Sequence, residues 1–272
     1  MDVFIPTWNN ERSIGKCLAS IRSEIPDAAI TIVDNFSSDD TVNIAKAYGA
    51  KVVQQHLNLG EARTWICKNA VGEWFIMIDS DAYLPKNWYS KMLHWRDVLA
   101  KQDDKLGAIC NRVYEMPIIK DPATSKLFKK GFLYNLGQLP YLQKNVGRFQ
   151  PNGALFKTEA VRGFNTHAAA LEDMLIGRYI VSKGFNTYVV PVYILHEQLL
   201  DKENMLKRAR IMGAWWNETH YTSLVALCKN AFLAACKVPF GTKIWAFKIY
   251  IHHIVGWLTK EQYLKNYRWS KG

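Results

Sequence analysis

The stretch Phe75-Ile-Met-Ile-Asp-Ser-Asp-Ala-Tyr83 decides the fold. Four apolar residues, Phe75 to Ile78, run straight into an acidic triplet, Asp79-Ser80-Asp81, and Gly72 stands just before them. A short apolar run bounded by turn residues predicts a buried strand of a parallel sheet. The carboxylates of Asp79 and Asp81 then fall at the carboxyl end of that strand, where open α/β sheets bind ligands. As alternate residues they are close enough to share one divalent cation, and their hard oxygens suit Mg²⁺ or Mn²⁺. A lone Asp-x-Asp is equally what a solvated loop presents, so its meaning depends on its surroundings.

Towards the N-terminus the surroundings are regular. Val3-Phe4-Ile5, stopped by Pro6, predicts a first strand. Ile14, Cys17, Leu18 and Ile21 have helical spacing and predict a helix ending near Pro26. Ala29 to Val33 is a second strand, and Asp39 or Asp40 is placed to cap a helix that opens at Thr41 and closes at Gly49. Lys51 to Gln55 is a third strand, and Asn58 opens a helix that ends near Gly72. Strand–helix alternation from the first residue predicts a doubly wound, mostly parallel α/β sheet.

Towards the C-terminus the pattern loosens. A helix over Trp88–Leu99 and a strand over Leu106–Tyr114 are followed by 115–147, rich in proline and glycine, read as long loops. Ala154–Lys157 is a strand after Asn152-Gly153. His167–Lys183 carries a helical stripe of Leu171, Leu175, Ile176, Tyr179 and Ile180, ended by Gly184. Thr187–Leu195 is a strand running up to His196.

Polar residues therefore gather at four consecutive strand ends: Thr7 to Asn9, Asp34, Asn58 to Arg63, and Asp79 with Asp81. Such a row can read a base, a ribose and a diphosphate in turn. No G-x-G-x-x-G follows the first strand and no Walker A lysine loop occurs, which counts against dinucleotide and P-loop enzymes. Arg63 by itself fits phosphate recognition or an ordinary helix surface.

Residues 3–10 (Val-Phe-Ile-Pro-Thr-Trp-Asn-Asn), 32–41 (Ile-Val-Asp-Asn-Phe-Ser-Ser-Asp-Asp-Thr), 58–63 (Asn-Leu-Gly-Glu-Ala-Arg), 78–81 (Ile-Asp-Ser-Asp) and 171–178 (Leu-Glu-Asp-Met-Leu-Ile-Gly-Arg) resemble family 2 glycosyltransferases of the GT-A fold, in that family's order. The resemblance covers roughly residues 1–197. It implies a Rossmann-like central sheet flanked by helices, a UDP- or GDP-linked sugar donor, Mn²⁺ or Mg²⁺, and inversion at the anomeric carbon. It also implies roles. Pro6, Thr7 and Asn9 would line the nucleotide, and Asp34 would bond the base. Asn58, Gly60 and Arg63 would pack on nucleotide and ribose. Asp79 and Ser80 would face the nucleotide-sugar. Asp81, with Asp79 and His196, would serve the metal, Asp81 most directly. Of the pair Glu172-Asp173, the aspartate would be the general base. The alternatives are a sugar-phosphate nucleotidyltransferase, which would carry a glycine-rich basic loop after the first strand, and a non-catalytic basic binding protein.

Bulk properties bound the rest. The 272 residues, 49% hydrophobic, suffice for a large core. They divide into a catalytic domain over 1–200, with the nucleotide-sugar half in 1–83 and the acceptor side in 84–200, and an extension over 201–272. The extension holds 12 Lys/Arg against 4 Asp/Glu, so +8 of the net +11 lies there. It also holds five of the ten tryptophans, and apolar helix-like runs over Tyr221–Lys237 and Ile244–Leu258. A basic, aromatic tail of this kind predicts contact with an anionic membrane surface rather than nucleic acid, the alternatives being a helical lid packed on the catalytic domain or a dimer contact. The expected location is cytoplasmic and peripheral at the inner membrane face, with an acceptor glycan that is lipid-linked or membrane-borne. Met1 leads directly into a strand, so no signal peptide is expected. Five cysteines without zinc spacing read as buried thiols.

Overall fold

Strand β1 (Asp2–Thr7) alternates strictly: Val3 and Ile5 enter one apolar cluster, and Phe4 enters the other. Strand β4 (Trp74–Met77) does the same, with Ile76 on the first face and Phe75 and Met77 on the second. Both strands are buried on two sides, as a parallel sheet between helices requires. The structure, a computed structural model, describes residues 1–119, 142–145, 149–170, 172–200, 206–207, 209–214, 223–225, 228 and 240–259.

The parallel half comprises β3 (Lys51–Gln54), β2 (Ala29–Asp34), β1 and β4, in that order, with Thr7 level with Asp34 and Asp34 level with Gln54. Beyond β4 the pairings given by the described residues are antiparallel. They involve β5 (Ala82–Tyr83), β6 (Leu106–Ile119), β7 (Gln143–Lys144), β8 (Ala154–Lys157) and β9 (Asn186–Leu200). The sheet is thus a parallel half continued by an antiparallel one. Helices α1 (Glu11–Glu24) and α4 (Trp88–Gln102) pack on one face, where Ile14, Leu18, Ile21, Trp88 and Met92 are buried. Helices α3 (Leu59–Asn69), α5 (Thr158–Val161) and α6 (Glu172–Ser182) cover the other through Ile66, Val161, Ile176 and Ile180. Stacked Phe75 and Phe156, 5.3 Å between centroids, tie β4 to β8.

Several boundaries depart from the sequence expectations. Strand β6 continues five residues past Tyr114 to Ile119, through Pro117, because proline's fixed φ is compatible with an extended backbone. Helix α6 opens at Glu172, not His167. Helix α2 (Thr41–Ala47) has Asp40 at its N-cap, yet it is the Asp39 carboxylate that accepts from the Thr41 backbone N–H, at 3.1 Å. Gly49 and Gly184 both take positive φ, 71° and 85°, as helix-closing residues in the left-handed region do.

The chain divides into two compact units. The first is Met1–Met116, Gly137–His167 and Glu172–Gln198; the second is Pro117–Leu136, Ala168–Leu171 and Leu199–Gly272. Within the second unit, Gly213, among helical residues 209–214, lies against His253 of α7 (Phe240–Leu258), and Gly256 of α7 lies against Arg210. A Cβ at either glycine would collide with backbone, so these two positions let the helices meet main chain to main chain. Burial at this contact pushes the His253 imidazole down to about 4. Ile251, Val255 and Leu258 are exposed along α7. The expected helix over Tyr221–Lys237 lies almost wholly outside the described residues. No described helix is long and apolar enough to cross a membrane. Cys17, Cys67 and Cys110 are buried thiols, as expected, whereas Cys228 is exposed and Cys236 lies outside the described residues.

Candidate active site

The loops after β1, β2 and β3 are stitched to one another. Asn9 takes φ 46°; its N–H donates to Ser37 Oγ (2.8 Å) and its Oδ1 accepts from Ser38 N (2.8 Å). Asn10 N donates to Thr41 Oγ1 (2.7 Å), and Asp40 N donates to Glu11 Oε2 (3.0 Å). Asp34 is wholly buried: its carboxylate accepts from Ser37 N, Ser37 Oγ and Gln54 Nε2. It therefore shapes the turn that presents Phe36, whose exposed ring lies 4.2 Å from that of His56. Pro6 and Thr7 are buried at the end of β1, and Thr7 Oγ1 makes no hydrogen bond among the described residues. Asn58 closes a capping box on α3: its Oδ1 accepts from Glu61 N, and Glu61 Oε2 accepts from Asn58 N.

The acidic loop is held from three sides. Asp79 N donates to Asn152 Oδ1 (3.1 Å). Asn152 O in turn accepts from Asn111 Nδ2 (3.1 Å), and Asn111 Oδ1 accepts from Trp88 Nε1 (3.1 Å). Gly153, at φ 73°, lies so close to Asn111 that a Cβ would strike it. Ser80 Oγ accepts from Asn10 Nδ2 (2.7 Å), joining this loop to the one after β1. On the third side β5 pairs with β9, Ala82 level with His196, and Glu197 N donates to Asp81 O (2.9 Å). This pairing sets His196 Nε2 3.1 Å from Asp81 Oδ1. Glu197 itself accepts from Lys16 Nζ (2.7 Å) and Ser13 Oγ (3.3 Å) of α1.

Arg63 lies beneath this surface. Its side chain is 3% exposed, with Nη2 2.9 Å from Asp79 Oδ1 and Nη1 3.0 Å from Glu172 Oε1. The Nη1 contact is an ion pair without hydrogen-bond alignment, and Nε has no hydrogen bond among the described residues. Burial opposes the guanidinium charge, but Asp79, Glu172 and Asp173 together raise its pKa further. Burial raises the Asp79 carboxyl and pushes the Glu172 carboxyl up to about 7, both against the pull of Arg63. Asp173 occupies the first turn of α6, where the helix dipole favours an anion, and its Oδ1 accepts from Met174 N (2.8 Å).

The structure thus brings Arg63, Asp79, Glu172 and Asp173 together, and Asp81 with His196. Asp79 contacts Arg63 and Asp81 contacts His196, while the charges of Asp81 and His196 both also act on Asp79. Asn10, Asn111, Asn152 and Glu197 hold the loop without having been singled out. Asn10 lies in the motif over residues 3–10 and Asn152-Gly153 is a turn dipeptide before a strand, whereas Asn111 and Glu197 carry no local signal. Among the described residues no group of three or more His, Cys, Asp or Glu is arranged to hold a metal.

A parallel half-sheet with an acidic loop at its carboxyl edge, continued by antiparallel strands, is the GT-A glycosyltransferase fold. The mannosyltransferase PcManGT from Pyrobaculum calidifontis, solved with GDP-Man and Mn²⁺, superposes with a TM-score of 0.61 over 96% of this chain and 86% of its own, at 14% identity. S. aureus TarS with UDP-GlcNAc gives 0.54 over 97% and 91%, at 15% identity. Residues 2–164, more than half of the sequence, match the family described as glycosyl transferase family 2, and the chain belongs to that family. A Methanococcus voltae dolichyl N-acetyl-alpha-D-glucosaminyl phosphate 3-beta-D-2,3-diacetamido-2,3-dideoxy-beta-D-glucuronosyltransferase is 24% identical over 216 residues, 70% of this chain and 64% of that protein. The chain spans under two thirds of the length of the curated relatives it matches first.

Proposed function

We propose that the protein transfers a sugar from a UDP- or GDP-linked donor to an acceptor hydroxyl with inversion, Asp173 taking the acceptor's proton. The observation that carries this reading is the division of labour within Glu172-Asp173. Glu172 is buried and committed to Arg63, whereas Asp173 stands half-buried at the first turn of α6. An inverting displacement needs one carboxylate opposite the leaving group, and the dipole at the first turn of a helix favours an anionic side chain there. Pro6, Thr7, Asn9, Asp34, Asn58, Gly60 and Ser80 form the loops that receive the nucleotide-sugar. Asp34 contributes by shaping its loop as well as through any contact with the base.

The donor set also fits a divalent cation. Mg²⁺ and Mn²⁺ are commonly held by one or two protein groups together with substrate phosphates. Asp81 and His196 supply such a pair, while Asp79 is engaged by Arg63 and steadies the loop. When bound, the cation would offset the charge that builds on the departing diphosphate.

The extension is proposed to meet an anionic membrane and bring a lipid-linked or membrane-borne glycan acceptor to the site, as a peripheral protein of the cytoplasmic face. Its +8 charge and the exposed stripe Ile251, Val255 and Leu258 of α7 support this. Flotation with anionic vesicles tests it: binding weakens but persists at high salt if both charge and apolar contact act. A full-length chain that ignores such vesicles would overturn it. Donor hydrolysis by the full chain, with and without Mn²⁺, tests the catalytic reading. No metal-stimulated release of UDP or GDP from any donor would sink it.

A further inference from the structure

Arg63 is too deeply buried to act chiefly as a nucleotide contact, and its two Nη atoms divide between acids on separate elements. One acid, Asp79, lies two residues before Asp81 in the loop after β4. The other, Glu172, immediately precedes Asp173 on α6. The planar guanidinium has a fixed fork, so it sets the separation of the two carboxylates it touches in a way a flexible ammonium cannot.

The helix that carries Arg63 is itself tied to both sides. Its N-terminus is locked by the Asn58–Glu61 capping box. Thr64, the next residue, donates through Oγ1 to Thr166 O (3.2 Å) and accepts from Thr166 N (2.9 Å). Asn58 Nδ2 donates to His167 O (2.9 Å). The chain that arrives at Glu172 is thereby fastened to α3 five residues earlier, and Arg63 fastens α3 to Glu172 and Asp79.

We infer that Arg63 is a positioning residue that sets the distance between the loop receiving the donor and the carboxylate receiving the acceptor's proton. It acts through Asp79 on one side and Glu172 on the other. This rests on the proposed reading of Asp173 and Asp81. A reaction between two bound partners is sensitive to such spacing, a misplacement of about 1 Å costing on the order of 100-fold in rate.

The test is Arg63→Lys in the full-length chain, which keeps the charge and removes the fork. Turnover and donor affinity are read separately, the first by transfer or donor hydrolysis, the second by calorimetry with Mn²⁺ and the UDP- or GDP-sugar that the wild type hydrolyses. The expected result is a fall in kcat of roughly tenfold or more with donor Kd within about threefold. Wild-type kcat overturns the inference. So does a rise in Kd that accounts for the whole loss, because that marks a nucleotide contact. If Arg63→Lys does not fold, Glu172→Gln decides: the same split supports the inference, and unchanged kcat overturns it. Asp173→Asn is the control for the underlying reading. If it retains wild-type transfer, that reading fails. If it abolishes transfer while Arg63→Lys is neutral, only the positioning role fails.

Discussion

Strand β9 links two carboxylate clusters of opposite character. At its start Asp103, just after α4, accepts from Lys105 N (3.0 Å), Asn186 Nδ2 (2.8 Å), Tyr188 Oη (2.6 Å) and Lys144 Nζ (3.0 Å). Burial works against its charge, yet hydrogen bonds led by Tyr188 and Lys144 hold the carboxyl at about 2. Near its end lie His196, Asp81 and, beneath them, Asp79, Arg63 and Glu172. There burial prevails over the partners, and both Asp79 and Glu172 are raised. The first cluster fills the lone pairs of its acid and stabilises the fold. The second crowds its acids around one incompletely bonded guanidinium, an arrangement costly to stability and common where chemistry is done.

The largest effect expected is on rate at the second cluster. Asp173→Asn is expected to lose transfer by about two to four orders of magnitude, the usual range for a general base, with donor affinity and melting behaviour kept. Near wild-type turnover would move the base elsewhere, first to Glu172. Asp81→Asn is expected to weaken Mn²⁺-dependent donor binding by roughly 10- to 100-fold, the scale seen when a metal's surroundings are altered. Calorimetry showing the same Mn²⁺-dependent affinity as wild type would remove Asp81 from the metal site.

The first cluster is expected to respond only in stability. Asp103→Ala removes the acceptor of Tyr188 Oη and Asn186 Nδ2, and is expected to cost about 1–3 kcal/mol in denaturant unfolding, with kcat of the folded protein unchanged. A loss of kcat at full stability would erase the distinction between the two ends of β9.

The effects in pH, each spread over several pH units, carry opposite signs. The Asp103 carboxyl is depressed, so its contribution is full above the unfolded value near 4 and fades as pH falls towards 2. The Glu172 carboxyl is raised, so the fold favours its protonated form. Its contribution is full below the unfolded value near 4.5 and is lost as pH rises through about 7. Compared with Glu172→Gln, the wild type should therefore lose roughly 1–3 kcal/mol of relative stability between pH 4.5 and 7.5. A flat difference across that window would show that Arg63 fully offsets the burial.

Much of the frame was legible because local patterns and tertiary needs coincide. The alternating apolar residues of β1 and β4, the cap at Asn58 and the closing glycines at 49 and 184 each state their role over a few residues. The two-residue β5 was not legible, because Ala82-Tyr83 has no periodicity of its own and exists only through its pairing with β9. The four-residue α5 was too short to show a helical period. The apolar stripe predicts α6 from His167, five residues before its first turn at Glu172, because such a stripe marks a helix's face and not its start.

The sequence by itself determined the order of strands and helices in the parallel half and the gathering of polar residues at its strand ends, since periods of 2 and 3.6 are written in neighbouring residues. It also carried the family through motifs in series. What tertiary structure decided is which charge meets which. Arg63 looks from the sequence like a residue for phosphate or for water. Only the packing of α3 against the loop after β4 and the start of α6 buries it between Asp79 and Glu172. Ion pairing and burial depend on residues 16 and 109 positions away along the chain, and no local pattern encodes a distance of that kind.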